Sequence, residues 1–395
     1  MTTPTPGLSK PPGMSRLLVL LGVISLLGPF SIDMYLPALP AIAADLHASA
    51  AAVQLTLPAF FIGLAMSQML FGSLADRFGR RPPLLIGLGV VALASIGCAF
   101  AASAWALAAW RVFQALGVGS VTVITRAVVR DSFEVGHVAR AMSLLGIISG
   151  CGPILAPQVG GLLLSLATWR LLFWFLTVLA LGALAAATTM LAESRPHGHR
   201  PAIGPKLWLA VLTDRRFLRF ALPANLISAS VFAYIAGAPF VFIDQLHLTP
   251  QRFAWLFGAN ALGLMTGGRI NAHLVARLGP EYLFRRAMIG AAAFAAILFA
   301  VALLGRGGFW ALAIPLFCFV AALGFNFSNG FALALAPFGA VAGTASAIYG
   351  TMQFAFAGLA GAAVSALYDG SARSMAGVMS ALTLAAVVLY RWDFA

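Results

Sequence analysis

Residues 54–102 read QLTLPAFFIGLAMSQMLFGSLADRFGRRPPLLIGLGVVALASIGCAFAA, and this stretch decides the fold class. Two apolar runs, at 54–74 and 83–102, flank a short segment that holds every charged residue of the stretch. A helix rises about 1.5 Å per residue and the hydrocarbon core of a bilayer is about 30 Å thick, so each run is long enough to cross a membrane. The stretch therefore predicts two helices in lipid, joined by a charged turn at one membrane surface.

The same alternation of apolar runs and polar breaks covers the whole chain. Of its 395 residues 61% are hydrophobic and only 9% are charged, whereas a soluble domain carries roughly 25% charged residues. The predicted fold class is an all-α integral membrane protein with twelve transmembrane helices in two pseudo-symmetric six-helix halves. The predicted spans are 17–38, 54–74, 83–102, 105–129, 138–164 and 170–191, then 218–242, 251–275, 283–304, 309–332, 342–366 and 372–391.

One long polar segment separates the two sets of spans. We predict a cytoplasmic tail at 1–16, a six-helix half at 17–192, a cytoplasmic linker at 193–217 and a second half at 218–395. The first apolar run has an alternative interpretation as a secretory signal peptide, since Ala41-Ile42-Ala43 resembles a cleavage site. Its length and the presence of Asp33 favour a first membrane helix.

Basic residues are distributed unevenly between the two sides of the predicted bundle. With the N-terminus inside, seventeen Lys and Arg residues fall in cytoplasmic segments and four in outside loops. Cytoplasmic loops carry this excess in membrane proteins, so both termini are predicted to be cytoplasmic. The net charge of +13 is spread along these loops and does not form one basic face, which argues against nucleic-acid binding.

Cys98, Cys151 and Cys318 lie in apolar runs without metal-ligand spacing, and no metal site is expected.

Charged residues well inside a span are costly and indicate function. Asp33 is the only carboxylate well inside a predicted span, and Arg111 is the clearest internal base, with Arg126 nearer the cytoplasmic end of the same span. Counting from the outer ends of their spans places Asp33 and Arg111 at about the same depth, roughly 8–10 Å below the surface. We predict that this pair couples transport to protons. The alternative is a static ion pair that holds the first and fourth spans together.

The charged turn at 72–81, GSLADRFGRR, resembles the loop motif G-x-x-x-D-R-x-G-R-R of the major facilitator superfamily. The positive-inside rule alone would explain its arginines, but not the spacing of its glycines and aspartate. The resemblance implies a conformational latch in which Asp76 contacts the start of the eleventh helix near Gly343 and stabilises the outward-facing state. The predicted latch residues are Gly72, Asp76, Arg77, Gly79, Arg80 and Arg81.

Two further segments are similar to motifs of that superfamily. Residues 111–115, RVFQA, resemble its helix-4 motif R-x-x-Q-G, with Ala115 in place of the glycine. This resemblance implies that Arg111 and Gln114 line the cavity and that Arg111 takes part in proton coupling. Residues 150–161, GCGPILAPQVGG, resemble the antiporter motif G-P-x-x-G-G, which implies export by exchange; generic packing of small residues is the alternative. The predicted motif residues are Gly152, Pro153, Ala156, Pro157, Gly160 and Gly161.

Three segments narrow the resemblance to one branch. Residues 31–40, SIDMYLPALP, residues 236–242, AGAPFVF, and residues 342–347, AGTASA, resemble the bicyclomycin and chloramphenicol resistance branch of the bacterial drug:proton antiporters. The resemblance covers nearly the whole chain. It implies a monomer in the bacterial inner membrane that is driven by the proton gradient and needs no cofactor.

Polar and aromatic side chains on apolar helices are candidates for lining a substrate cavity. For each of them a hydrogen bond between helices is the commoner role. The candidates are Asp33, Tyr35, Gln54, Arg111, Gln114, Asn225, Tyr234, Asn260, Asn326, Asn329 and Gln353.

The predicted function is a proton-coupled multidrug efflux antiporter that exports small lipophilic antibiotics, chloramphenicol-like or bicyclomycin-like, by alternating access. Its expected partners are a drug or metabolite, protons and the lipid bilayer. One alternative is a metabolite or amino-acid exporter or an uptake transporter of the same fold; the antiporter motif argues against uptake. A membrane-embedded enzyme is a second alternative. It would need a second intramembrane acid, a histidine cluster or a nucleotide motif, none of which the sequence contains, and no catalytic residue is predicted.

Overall fold

The computed structural model describes residues 12–133, 135–193, 205–305 and 308–392, without the side chains of 12–15, 76, 135, 136, 139, 205, 206, 340 and 392. Residues 1–11 of the predicted tail and 194–204 of the predicted linker lie outside the described residues. Within the described ranges the chain is almost entirely helical and contains no strand.

Twelve long helices correspond one to one to the predicted spans. The first six are α1 Pro12–Asp33, α2 Thr56–Phe78, α3 Arg81–Ala99, α4 Ala104–Ser132, α5 Val135–Leu166 and α6 Arg170–Met190. The second six are α7 Arg215–Pro239, α8 Pro250–Leu278, α9 Pro280–Leu304, α10 Gly308–Leu335, α11 Ala342–Ala366 and α12 Arg373–Trp392.

Short helices extend several of these spans. The chain turns at the end of α1, continues through a 3₁₀ turn at Leu36–Ala38 and ends the span with a helix at Leu39–Asp45, seven residues beyond the predicted boundary at 38. A short helix at Ala50–Gln54 precedes α2, and a π-helical turn at Phe240–Gln245 extends α7. A 3₁₀ turn at Ala336–Val341 leads into α11. The predicted linker contains a helix at Pro205–Thr213, which the sequence analysis missed.

In the described part of the chain, eleven helical segments are long and apolar enough to cross a membrane. The twelfth long helix, α8, is 29 residues long but carries Arg252, Arg269 and Arg277 in addition to asparagines and a histidine. These polar residues lower the hydropathy of α8 below that of its neighbours.

Local signals in the sequence set the helix boundaries. The hydroxyl of Ser103 accepts a hydrogen bond from the Ala106 N–H (3.2 Å) at the start of α4, and the Asp214 carboxylate accepts one from the Arg216 N–H (2.7 Å) at the start of α7. These side chains cap backbone N–H groups that lack a partner within the helix. Gly79 ends α2 with a φ of 93°, and Gly279 ends α8 with a φ of 76°. Both glycines occupy a backbone region that favours residues without a Cβ atom.

The helices pack as two halves, α1–α6 and α7–α12, that touch along two lines. Helix α2 packs on α11, and α5 packs on α8. We call the end of the bundle with the first and last described residues the terminus end, and the opposite end the far end. At the far end the Gln251 Nε2 donates a hydrogen bond to the Gly161 carbonyl (3.2 Å), and the Ser365 hydroxyl donates one to the Ala51 carbonyl (2.7 Å).

Toward the terminus end the two halves separate. On the face that α2 presents to α11, the Gln68 side chain still reaches the position of Gly350, but a Cβ atom at Gly72 would meet no described atom within 4 Å. The same holds for Gly146 of α5 and Gly343 of α11. The structure therefore has a cleft that is closed at the far end and open at the terminus end.

Candidate functional site

Arg111 lies in the interior of the first half with no exposed surface. Its Nη1 donates hydrogen bonds to the Ser31 carbonyl (2.7 Å) and to the Gln114 Oε1 (2.6 Å). The guanidinium carbon lies 4.6 Å from the ring centroid of Tyr35 and 4.2 Å from that of Phe60. Aromatic faces of this kind attract a cation, so α4 is bound to the α1 region and to α2 through one side chain.

The hydrogen bonds continue from Arg111 into other helices of the first half. The Gln114 Nε2 donates to the Ser95 hydroxyl of α3 (2.7 Å), and the hydroxyl of Tyr35 shares a hydrogen bond with that of Thr56 in α2 (2.8 Å). The Tyr35 ring also packs on Phe173 of α6, at a centroid distance of 5.7 Å. Tyr35, Arg111 and Gln114 therefore form one buried network within the first half.

Part of this network lacks partners. The Arg111 Nε and Nη2 and the Ser31 hydroxyl are buried and make no hydrogen bond to any described residue. A buried guanidinium without a carboxylate is costly, because desolvation of the charge is only partly offset by neutral acceptors. Unused N–H donors at this position are available to a water molecule or to an acceptor group on a substrate.

Asp33 is the last residue of α1, at the point where the first span is broken. Its side chain is 5% exposed and has no hydrogen bond or ion pair with any of the residues that the structure describes. The break is packed against α5, where Gly160 lies against the Met34 carbonyl without room for a Cβ atom. The turn at Leu36–Ala38 contacts α7 and α8. Asp33 therefore lies at the boundary between the halves.

Asp33 and Arg111 do not form an ion pair in the described structure. Arg111 instead contacts the Ser31 carbonyl and the Tyr35 ring, two residues before and two residues after Asp33. The predicted common depth is compatible with this arrangement, but the alternative of a static pair between the first and fourth spans is not formed in this conformation.

The remaining predicted cavity residues differ in their partners. Three hydrogen bonds join helices: the Asn260 Nδ2 to the Tyr234 hydroxyl (3.0 Å), the Asn329 Nδ2 to the Asn271 Oδ1 (2.7 Å) and the Gln353 Nε2 to the Ser228 hydroxyl (2.8 Å). Asn225 and Asn326 bind carbonyl groups one turn earlier in their own helices. Gln54 is fully buried, and both polar atoms of its side chain lack a partner in the described part of the chain.

An aromatic contact that the sequence analysis missed joins the two halves near the centre. The Phe61 ring of α2 lies 4.6 Å from the Phe232 ring of α7, which in turn lies 6.4 Å from Phe354 of α11. Phenylalanine is abundant in this chain, and nothing in the sequence distinguishes these three from the phenylalanines that face lipid. Together they give the interface between the halves a soft apolar wall.

The residues of the predicted antiporter motif lie between α1 and the second half. Gly152 lies against Pro29 of α1, and Gly160 against Met34, each at a distance that only a glycine permits. Ala156, between them on the same face, is fully buried. Gly161 accepts the hydrogen bond from Gln251 of α8 described above. The small-residue face of α5 thus brings the broken part of the first span close to the second half. Pro153 and Pro157 lie within the same helix.

The loop with the predicted latch residues is bound to the end of α6 and to α4. The Glu193 carboxylate accepts hydrogen bonds from the backbone N–H groups of Arg80 (2.7 Å) and Arg81 (3.2 Å). The Arg80 Nε forms a largely buried ion pair with Asp131 of α4 (2.8 Å). The Arg81 guanidinium donates to the Thr188 carbonyl (2.7 Å), whereas Arg77 is exposed. Asp131 and Glu193 were not predicted as partners.

The contact predicted between Asp76 and the start of α11 falls on a side chain outside the described residues. Near it, Gly72 of α2 and Gly343 of α11 have no described neighbour within 4 Å of a Cβ position. Arg126, the predicted base nearer the cytoplasmic end of α4, is exposed. No cluster of three or more metal-ligating side chains occurs among the described residues.

Comparison with known proteins gives a consistent result over most of the chain. A model of the Major Facilitator Superfamily matches residues 21–362. The Uncharacterized MFS-type transporter YdgK of Bacillus subtilis is 36% identical over 353 residues, which cover 87% of this chain and 88% of that protein. The Bicyclomycin resistance protein homolog of Haemophilus influenzae is 28% identical, with 94% of each chain covered, and the Multidrug resistance protein MdtL of Escherichia coli is 29% identical, with 86% of each covered.

Solved structures share the fold at low identity. The D-xylose-proton symporter matches with a TM-score of 0.78 and 15% identity, covering 97% of this chain and 98% of that one. The peptide transporter POT, in complex with sulfate, matches with a TM-score of 0.76 and 16% identity, covering 96% of this chain and 94% of that one. At this identity the likeness establishes the twelve-helix fold alone.

Proposed function

The chain belongs to the Major Facilitator Superfamily, and from this premise we propose that it is a proton-coupled antiporter that exports small lipophilic drugs from bacterial cells. The chain is a multi-pass membrane transporter and not an enzyme. In the proposal it lies in the inner membrane with the terminus end in the cytoplasm, because the basic residues concentrate at that end. Relatives named for bicyclomycin resistance and multidrug resistance support the substrate class.

One observation carries the proposal. Asp33 is a buried carboxylate at a break in the first span, at the boundary between the halves, and has no polar partner among the described residues. A carboxylate held by neither a cation nor a hydrogen bond is able to exchange a proton with water whenever the cleft admits water. In the conformation open to the cytoplasm the proton leaves the carboxyl group to cytoplasmic water. After the halves have switched, a proton from outside restores the O–H bond.

Arg111 contributes by positioning Asp33. It holds the Ser31 carbonyl and the Tyr35 ring, which lie on either side of Asp33 in the sequence. The arginine thereby fixes the direction in which the carboxylate points. Its unused Nε and Nη2 donors offer hydrogen bonds to a carbonyl or nitro oxygen of a drug that enters from the cleft.

The substrate site lies between the halves, beside Asp33 and the aromatic side chains Phe61, Phe232 and Phe354. Apolar walls with a few placed polar groups are typical of small-molecule sites. Export follows when the contacts at the far end open and those at the terminus end form. By the family resemblance, the loop at 72–81 and the start of α11 then come together.

The test uses everted membrane vesicles, in which the terminus end faces the medium and the interior is acidified. Addition of a transported drug is expected to release interior protons, and the Asp33→Asn variant is expected to lose this release while it remains in the membrane. A panel that includes chloramphenicol and bicyclomycin identifies the substrates. Asp244→Asn is the matched control, since Asp244 is an exposed carboxylate near the far end of α7.

Two results would contradict the proposal. Proton release by Asp33→Asn at the wild-type rate would exclude Asp33 as the proton carrier. Uptake of substrate together with protons, detected as proton flux in the same direction as substrate flux, would replace the exporter by a symporter of the same fold.

A further inference from the structure

A groove lies at the terminus end between α9 and α12, far from Asp33 along the helices. Its volume is about 440 Å³, and three arginines, Arg285, Arg286 and Arg391, line it together with the apolar side chains Met288, Ile289 and Val387. All three arginines are exposed. None of the transport roles proposed above uses this groove.

Among the described residues, the carboxylate of Glu281 at the start of α9 already has two partners. The Glu281 Oε1 accepts hydrogen bonds from the Arg219 Nη2 (3.0 Å), as an ion pair, and from the Tyr390 hydroxyl (3.0 Å). The Tyr390 ring also packs on Phe284, at a centroid distance of 5.8 Å, so α7, α9 and α12 are joined below the groove. Within the described residues the guanidinium groups of Arg285, Arg286 and Arg391 form no ion pair. Within the described residues the groove therefore carries three arginines without an acidic partner, beside the side chains that join these helices.

We propose that this groove binds a phospholipid with an anionic headgroup from the adjacent leaflet. The arginines bind the headgroup phosphate, and an acyl chain lies on the apolar wall. A soluble anion would use the arginines alone, whereas the apolar side chains continue from the groove toward the membrane interior, where Ile289 is 38% exposed and Val388 48% exposed. Basic pockets between transmembrane helices at the membrane surface are suited to anionic lipids.

The general excess of arginine at the terminus end is a competing explanation for the three arginines of the groove. The following experiment distinguishes a specific lipid site from this general positive charge. Full-length protein in neutral detergent is titrated with short-chain phosphatidylglycerol or phosphatidylcholine, and binding is measured by native mass spectrometry. The test variant is Arg285→Gln/Arg286→Gln/Arg391→Gln. The matched control is Arg130→Gln/Arg140→Gln/Arg277→Gln, which removes the same charge from exposed arginines at the same end but outside the groove.

We expect the wild type and the control to prefer phosphatidylglycerol and the test variant to lose that preference. An arginine near an anionic lipid contributes about 1 kcal/mol, which is about fivefold in affinity, so three of them give about 100-fold if their effects add. If the test variant and the control lost the preference for phosphatidylglycerol equally, the preference would come from the total positive charge of this end, and the proposal would be overturned. Unchanged preference in the test variant would also overturn it.

A second variant tests the apolar wall without a change of charge. Ile289→Ser is expected to weaken the binding of phosphatidylglycerol and to leave the weak binding of glycerol 3-phosphate, which has no acyl chain, as it is. If glycerol 3-phosphate bound as tightly as phosphatidylglycerol, the site would be one for soluble phosphates and the lipid assignment would be wrong. Monodisperse elution and an unchanged melting temperature without lipid show that each variant is folded.

Discussion

At the scale of single residues, the buried guanidinium of Arg111 shows how one side chain organises the first half. It combines two hydrogen bonds to neutral acceptors with contacts to two aromatic rings. This geometry depends on the planar shape of the guanidinium as well as on its charge. Lysine would keep the charge but would offer neither the flat stacking surface nor two donors in fixed directions.

We therefore expect both Arg111→Lys and Arg111→Gln to slow drug-dependent proton release from everted vesicles by at least tenfold. A hydrogen bond to a charged group is worth about 1.5–3 kcal/mol, and about 1.4 kcal/mol corresponds to tenfold in rate. Arg140→Gln, at an exposed arginine outside the network, is the control and is expected to transport normally. Full activity of Arg111→Lys would mean that the charge alone matters, and full activity of both variants would exclude a positioning role.

The sequence predicted the depth of Asp33 and Arg111 in their spans but not how the two residues face one another. Counting residues from the ends of apolar runs gave Asp33 and Arg111 a similar depth, because the rise of a helix is constant. The rotation of each helix about its axis depends on its neighbours. In the structure Arg111 binds Ser31 and Tyr35, which flank Asp33 in the sequence, and not Asp33 itself. The sequence likewise could not predict that the Gln54 side chain lacks hydrogen-bond partners, because this depends on which residues of α4 and α11 lie beside it.

At the scale of helices, α5 shapes the break in the first span. Its small residues let the backbone of the α1 region approach closely at Pro29 and at Met34. The small residues at 150–161 also allowed an interpretation as a packing face, and in the structure the partner of this face is the α1 region. Gly152 lies against the ring of Pro29 and Gly160 against the backbone of Met34, so even one added methyl group changes the contact.

Gly160→Ala is expected to destabilise the protein and to impair transport. A Cβ atom at this position would overlap the Met34 carbonyl, and overpacking of this kind typically costs about 1–3 kcal/mol. Gly290→Ala in α9 is the matched control, because a Cβ atom there meets nothing within 4 Å and alanine is favoured over glycine in a helix by about 1 kcal/mol. Melting temperature in detergent and proton release in vesicles measure the two effects. A variant Gly160→Ala as stable and active as Gly290→Ala would show that the close approach is not required.

The charged loop at 72–81 illustrates a different limit of sequence reasoning at this scale. Its spacing identified the turn and the arginines, but their partners come from distant parts of the chain. Asp131 ends up beside Arg80 because α4 packs next to α2 and α3, and Glu193 reaches the start of α3 because α6 packs on that helix. In the second half, Gly279 ends α8 with a positive φ, as Gly79 ends α2, and the Arg219–Glu281 ion pair lies close to this turn. Neither pairing can be inferred from spacing along one chain.

At the scale of the whole molecule, the two halves are joined at the far end and separated at the terminus end. The number of spans and the division into halves followed from hydropathy, because lipid requires long apolar helices. The conformation could not follow from it, since hydropathy does not distinguish which end of the bundle is closed. In the proposed transport cycle, two far-end hydrogen bonds, Gln251 to Gly161 and Ser365 to Ala51, have to break for the opposite state to form.

A crosslink across the far end is therefore expected to stop transport. In a variant whose three native cysteines are replaced by serine, Ala51→Cys/Ser365→Cys places two thiols where a 2.7 Å hydrogen bond now joins α11 to the segment before α2. A short cleavable bifunctional thiol reagent should abolish drug-dependent proton release, and a reductant should restore it. The control pair Asp45→Cys/Arg170→Cys lies at the same end but within the first half, where the native side chains form an ion pair. Its crosslinking should leave transport intact, since the first half moves as one body if the cleft alternates between its two ends. Undiminished transport by the crosslinked Ala51–Ser365 pair would rule out opening at the far end.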